Sequence, residues 1–226
     1  MGFSLRRWVL ATLSRRDLGV DQVDWKYVRF SYSQFGEDVV VASLLEAPTG
    51  FYVDVGAFHP VQISNTYLLY RRGWRGLVID ADPDFVPRFR RRRPRDFPVH
   101  AAVAEQSQER RFVITPAGVS SHLQDLARPE TKDRSTRIIT LQTRTLRSLL
   151  DEHLPAGQAI DFLNVDCEHA DLEVLRSNDW GRYRPRVIAV EDHQAASASD
   201  ICRLLTGQHY EPVVTLGVTR IFTANQ

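Results

Sequence analysis

The sequence predicts a single α/β domain built on a mostly parallel sheet with helices on both faces. Three observations lead there. At 226 residues the chain is long enough for one well-filled core and too short for two. Short apolar runs that end in a glycine or an acid alternate with stretches whose apolar residues recur at helical spacing, the pattern of successive strand–helix units. The chain closes on YEPVVTLGVTRIFT, two β-rich runs about a glycine, which reads as a C-terminal antiparallel hairpin.

Taken in order, residues 1–30 read as an N-terminal helical extension, with Phe3, Trp8, Val9 and Leu13 on one face of a basic amphipathic helix, and residues 31–226 as the domain. In FSYSQFGEDVVVASLLE the capping-box spacing of Ser31 and Gln34 predicts a helix starting near Ser33. GFYVDVGA, held between Gly50 and Gly56, reads as a buried strand closing in a tight turn. A helix over Ser64 to Arg72 leads to a second strand, WRGLVIDADP, and the segment DFVPRFRRRRPRD reads as a third helix. FPVHAAVA and RFVITP are the third and fourth strands, and residues 116–137 form a polar, turn-rich interval long enough to be a lid. Strand, helix, strand, helix, strand and helix follow in IITLQTRTLRSLL, AIDFLNVD, ADLEVLRSND, RPRVIAVED and SASDICRLLTG.

Composition narrows the function by exclusion. A net charge of +1, with 25% charged and 43% apolar residues, gives no global pull toward nucleic acid or lipid. No run reaches the length of a membrane span, and the N-terminus lacks a secretory cleavage pattern, so no stable membrane insertion is expected. The two cysteines, Cys167 and Cys202, form no Cys-x-x-Cys pair, which fits a reducing cytoplasm. A homo-oligomer without nucleic acid is the expected state. The run RFRRRRPR at 88–95 reads chiefly as solvated helix surface, with phosphate or RNA binding as the functional alternative.

In parallel sheets of this kind the ligand lies beyond the carboxyl ends of the strands. The first such end carries Asp54 and Gly56: the glycine allows close backbone approach, and the acid can accept from a cationic amine or loop N–H groups. The second carries Asp80, some two dozen residues after Gly56, near the spacing at which an acid holds a ribose diol. Without the G-x-G-x-x-G fingerprint a dinucleotide is disfavoured, and a cofactor with ribose but no pyrophosphate, S-adenosylmethionine, fits instead. At the other end of the chain, NVDCEHADLEVL places Asp166, Glu168 and His169 after an apolar run, and RVIAV ends in Glu191, Asp192 and His193. Neighbouring strands would bring Asp166, Glu191 and Asp192 onto one ion, and three carboxylates favour magnesium, with His169 beside it as the base. Glu168 and Asp171 read as caps of the next helix, Glu37 and Asp38 equally as helix caps or as residues approaching the site, and His59, His122 and His193 as candidates near the acceptor.

The segments SQFGEDVVVASLL, GFYVDVGAFHPVQISNTYLLYRRGWRGLVIDADP and IDFLNVDCEHADLEVLRSNDWGRYRPRVIAVED, in this order, resemble the FkbM family of S-adenosylmethionine-dependent methyltransferases over most of residues 31–192. The resemblance implies a class I methyltransferase fold and O-methylation of a sugar or polyketide hydroxyl. It also implies that Asp54 and Gly56 belong to the cofactor's first loop and Asp80 to its ribose contact. Ser64, Asn65 and Thr66 fall in a matching segment, where N–H groups of a helix start would receive the methionine carboxylate. The metal pattern Asp166-x-x-His169 with Glu191-Asp192 is similar to that of macrolide-sugar O-methyltransferases, whereas a glycine commonly stands at the position of His169 in FkbM proteins. The expected activity is methyl transfer to a hydroxyl of a sugar or glycosylated metabolite with help from a divalent metal. Metal-free transfer, RNA methylation and a non-catalytic nucleoside-binding module are the alternatives.

Overall fold

A computed structural model describes residues 28–115, 121–126, 136–195 and 199–225. All but the last three residues of the expected N-terminal helix, and most of the expected lid, lie outside them. The described elements are β1 (Phe51–Val55), β2 (Arg75–Asp80), β3 (Phe97–His100), β4 (Ala102–Val103), β5 (Glu109–Ile114), β6 (His122–Gln124), β7 (Arg137–Arg144), β8 (Phe162–Val165), β9 (Val187–Glu191), β10 (Tyr210–Leu216) and β11 (Thr219–Ala224). The helices are α1 (Glu37–Leu44), α2 (Tyr67–Arg71), α3 (Phe85–Arg92), α4 (Leu146–His153), α5 (Asp171–Arg176) and α6 (Asp200–Gly207).

Seven strands make the main sheet in the order β3, β2, β1, β8, β9, β11, β10. The first five run parallel, and β11 is antiparallel to both β9 and β10. The order reverses between β1 and β8, and this switch point is where an open α/β sheet leaves a crevice. Both faces of the sheet are buried, which is why β1, β8 and most of β9 read as near-continuous apolar runs, interrupted by Asp54 and Asn164, rather than alternating ones. One face packs Tyr52, Val78 and Phe162 against α1, α2 and α3 through Val41, Leu69, Phe85 and Phe89. The other packs Val53, Leu77 and Leu163 against α4, α5 and α6 through Leu149, Val174 and Leu205. The predicted closing hairpin is present as β10 and β11.

Three local predictions are corrected. The first helix begins at Glu37, not near Ser33, because Gly36 at φ 93° takes the left-handed conformation and stops the helix from extending backward. The capping runs the other way from the predicted box: Asp38 accepts from the Ser31 and Ser33 hydroxyls (2.7 and 2.8 Å) and from the Tyr32 N–H (2.7 Å). The helix expected over Ser64 to Arg72 is only five residues, Tyr67–Arg71. The run FPVHAAVA is two strands in two sheets. β3 stays beside β2, the Ala101 N–H donates to the Asp80 carbonyl (2.9 Å), and β4 then pairs with Thr143 and Arg144 of β7. A second, four-stranded sheet ordered β4, β7, β5, β6 results. The sequence predicted one mostly parallel sheet, because an apolar run specifies that a strand forms but not which partner it joins.

Candidate active site

One cavity opens at the carboxyl ends of β1, β2 and β8, at the switch point. Gly56 makes it possible. At φ +79° it turns the chain out of β1, and a Cβ there would sit 1.7 Å from the Asp166 carbonyl oxygen. The Asp166 N–H donates to the Val55 carbonyl (2.9 Å), so the two strand ends are clamped together under the cavity floor. The sequence-predicted Asp54, Gly56, Ser64, Asn65, Asp80, Asp166 and Glu191 all line this one space.

Asp54 lies on its floor, 2% exposed. Thr66 donates to one of its oxygens (2.5 Å) and the Asn164 amide to the other (2.9 Å), while Asn65 donates to the Asn164 oxygen (2.9 Å). Burial pushes the Asp54 carboxyl up, and Arg93 nearby opposes the shift. Asp80, at the end of β2, accepts from the Phe58 and Asp82 N–H groups (2.8 Å each), one on each oxygen, leaving a lone pair on each for a diol. Burial pushes it up to about 6, against those two backbone bonds. Beyond Asp80 the cavity wall is apolar: Ala102 and Val103 from β4, Phe112 from β5 and Leu123 from β6. The added four-stranded sheet thus supplies one wall, a role invisible in the sequence because it depends on which strand β4 joins.

The opposite end is acidic. Asp166 takes no side-chain hydrogen bond from the described residues. Burial and then the neighbouring Glu191, Asp171, Glu168 and Asp54 charges hold its carboxyl well above the usual range. Glu191 faces the same space with one buried oxygen unpaired and the other 3.3 Å from His193 Nε2. His169 is exposed and outside the cavity lining, its ring 5.1 Å from that of His193. Its φ of 77°, following 48° at Glu168, explains why glycine suits this position: a side chain here sits in a left-handed region that L-residues adopt at a cost.

Several predicted roles are corrected. Asp192 does not join Asp166 and Glu191. It turns into the protein, where it pairs with Arg220 (3.1 Å) and accepts from the Ser199 hydroxyl, and it is 6% exposed. Adjacent residues on a strand end face opposite sides, so Glu191 and Asp192 never shared a face. Among the described residues no group of three or more His, Cys, Asp or Glu side chains has the arrangement to hold a metal ion. Of the three carboxylates expected around one ion, Asp166 and Glu191 line the cavity and Asp192 does not. His59 accepts from the Val61 and Gln62 N–H groups (3.1 and 2.9 Å) and braces its own loop. His122 lies between Ser121 and Leu123, which line the cavity, so alternation along β6 turns it the other way. The capping readings of three acids match the structure: Glu37 and Asp38 serve the start of α1, and Asp171 caps the approach to α5 by accepting from the Cys167 N–H (2.8 Å). Ser64 accepts from the Tyr67 N–H (3.2 Å) at a helix too short to offer an anion site.

Sequence reasoning missed Asn164 and Arg93, and it read Thr66 as part of a helix start facing the methionine carboxylate rather than as the donor to Asp54. Asn164 had a signal, as the one polar residue inside the apolar run of β8. Arg93 had none, since five other arginines of its run surround it and its burial follows from Pro94, which forces the residue before it out of the helix.

The donor set suits S-adenosylmethionine. Acids would face the cationic end, the Asp80 carboxylate with its remaining lone pairs would meet the ribose diol, and the apolar wall would receive the adenine. The strand order, with β11 the one reversed strand between β9 and β10, defines a class I S-adenosylmethionine-dependent methyltransferase fold. Residues 54–212 match the methyltransferase FkbM domain, and the chain belongs to that family. No curated protein matches. Among solved structures, the chain is similar to a 1,6-didemethyltoxoflavin-N1-methyltransferase from Burkholderia thailandensis bound to 1,6-didemethyltoxoflavin and S-adenosylhomocysteine, at 12% identity over 98% of this chain and 87% of that one, with a TM-score of 0.44. It is also similar to a TehB-like S-adenosylmethionine-dependent methyltransferase from Corynebacterium glutamicum, at 13% identity over 97% and 95%, with a TM-score of 0.42. Among the described residues no helix is long and apolar enough to cross a membrane.

Proposed function

We propose that the protein transfers the methyl group of S-adenosylmethionine to a hydroxyl of a sugar or glycosylated metabolite, with Asp166 as the general base. The observation that supports this reading is the Asp166 carboxylate, which shares the cavity with Asp54 and Asp80 and takes no hydrogen bond from the described residues. Displacement at a sulfonium methyl needs alignment and a hydroxyl relieved of its proton, and a free carboxylate at the acceptor end supplies the second. The electrophilic methyl group is what the bound cofactor contributes. Asp54 and Asp80 hold the cofactor's two ends, and Glu168 and Glu191 offer acceptors to neighbouring hydroxyls of a polyol. His169 stands at the mouth, where it borders the incoming acceptor rather than the reacting atoms. The Asp192 carboxylate, paired with Arg220, is not assigned to a metal in this reading.

The test is transfer of a labelled methyl group to a panel of sugars and glycosides. Asp166→Asn is expected to lower turnover by about 10²–10⁴-fold, the usual worth of a general base, while S-adenosylhomocysteine affinity stays within about threefold. Turnover that survives Asp166→Asn but is lost in His169→Ala would move the base to the rim. Lost cofactor binding in Asp166→Asn would refute the division of labour.

A further inference from the structure

We propose that Arg93 is a positioning residue for the cofactor, acting through Thr66 to fix the Asp54 carboxylate where it receives the ammonium group of the methionine end. The inference rests on the reading that Asp54 faces that end. Arg93 follows α3 as its C-cap, at φ −133°, and Pro94 keeps it there. Leaving the helix turns its side chain inward, and it is 0% exposed while Arg90, Arg91 and Arg92 remain at the surface.

A guanidinium this deep is tolerable only if its donors are met. Nε donates to Asp96 (2.6 Å), Nη2 to the Tyr52 hydroxyl (2.6 Å), and both terminal nitrogens to Thr66 Oγ1 (3.1 Å each). The rings of Tyr52, Tyr70 and Phe89 lie 5.0–5.3 Å from its centre. Thr66 is itself 0% exposed. With the guanidinium donating to its oxygen, its one proton has a single carboxylate to go to, Asp54 Oδ2 at 2.5 Å. The direction of the relay is therefore forced. Asn164 holds the other Asp54 oxygen (2.9 Å), so the carboxylate cannot rotate.

The charges leave one negative unmatched. Among the described residues Arg93 is the single cation hydrogen-bonded into this cluster, and Asp96 binds it directly while Asp54 meets it only through a neutral hydroxyl. Asp54 is thus fixed in direction and open in charge, and it lines the cavity. An ammonium group arriving there completes the pairing.

Calorimetric titration of S-adenosylhomocysteine and of adenosine, which lacks the amino-acid tail, tests this in the full chain. Thr66→Val removes the relay with little change of shape. It is expected to weaken S-adenosylhomocysteine by about tenfold or more and adenosine by less than about twofold, the loss of one charge-assisted bond. Thr66→Ser restores the wild-type ratio of the two affinities. Arg93→Lys lowers that ratio as well, since one ammonium group cannot serve Asp96, Tyr52 and Thr66 together. Should Arg93→Lys fail to fold, the Thr66 pair decides. Equal losses for both ligands in Thr66→Val, or no loss for either, would overturn the proposal. If Asp54→Asn leaves the ratio unchanged, the reading of Asp54 itself is wrong. If Asp54→Asn lowers the ratio and Thr66→Val does not, only the relay fails.

Discussion

Replacing Gly56 by alanine probes the clamp beneath the cavity. Two costs add. A non-glycine residue at φ +79° carries about 1–2 kcal/mol of backbone strain. The new methyl would stand 1.7 Å from the Asp166 carbonyl oxygen, which cannot yield as a side-chain tip would, because it is backbone and the same residue is tied through its N–H to the Val55 carbonyl. Forcing extra volume into such a contact costs about a further 1–3 kcal/mol. The sum, about 2–5 kcal/mol, is a large share of the roughly 5–15 kcal/mol that holds a domain together. Urea denaturation followed by circular dichroism is expected to show the midpoint lowered by about 1–2 M. Because relief requires β1 and β8 to part, the Asp166 carboxylate moves with its backbone, and Gly56→Ala is also expected to lose S-adenosylhomocysteine binding at urea concentrations where it remains folded. A variant with wild-type midpoint and wild-type affinity would refute the close approach on which the whole site geometry depends.

Two further outcomes follow from the same geometry. The free Asp80 carboxyl titrates at about 6, so cofactor affinity is expected to be level above about pH 7 and to fall by up to tenfold per pH unit below about 6. Asp80→Asn, weak at all pH values, should lose that dependence, and an unchanged profile in the variant would remove Asp80 from the ribose. The stability sign is opposite: the folded carboxyl holds its proton to higher pH than the unfolded one near 4, so through this group the cofactor-free protein loses stability as pH rises from about 4 to about 6. Asp192→Ala leaves Arg220 buried without its carboxylate and is expected to destabilise by about 3–5 kcal/mol, with turnover per folded molecule little changed whether or not magnesium is added. Loss of a magnesium-dependent rate in a fully stable Asp192→Ala protein would instead restore that residue to the site.

The legible parts of the site share a physical trait. Asp54, Gly56 and Asp80 sit at the ends of buried parallel strands, and such strands announce themselves as continuous apolar runs whose first polar residue marks the ligand side. Asp166 was found the same way. The errors arose one residue further on. Glu191 and Asp192 look equivalent in a string of letters, yet the pleat sends one to the cavity and the other to Arg220. His59 and His122 were plausible by type, but a histidine's use depends on which N–H groups its loop presents, and those of Val61 and Gln62 are met only after the turn has closed. The helix at Glu37 began late because one glycine's handedness outweighed a favourable capping pattern.

By itself the sequence determined the order of strands and helices, the two-sided burial that makes the central sheet parallel, the closing hairpin and the carboxylates at the strand ends, because periodicity and the cost of burying charge act on neighbouring residues. The tertiary structure alone decided the partner of β4 and hence the apolar wall from a second sheet, the commitment of Asp192 to Arg220, and the passage of Arg93 from a surface run to a buried place behind Thr66 and Asp54. Each of these joins residues distant along the chain, where the free energy depends on hydrogen-bond partners and packing that exist only after the chain has closed on itself.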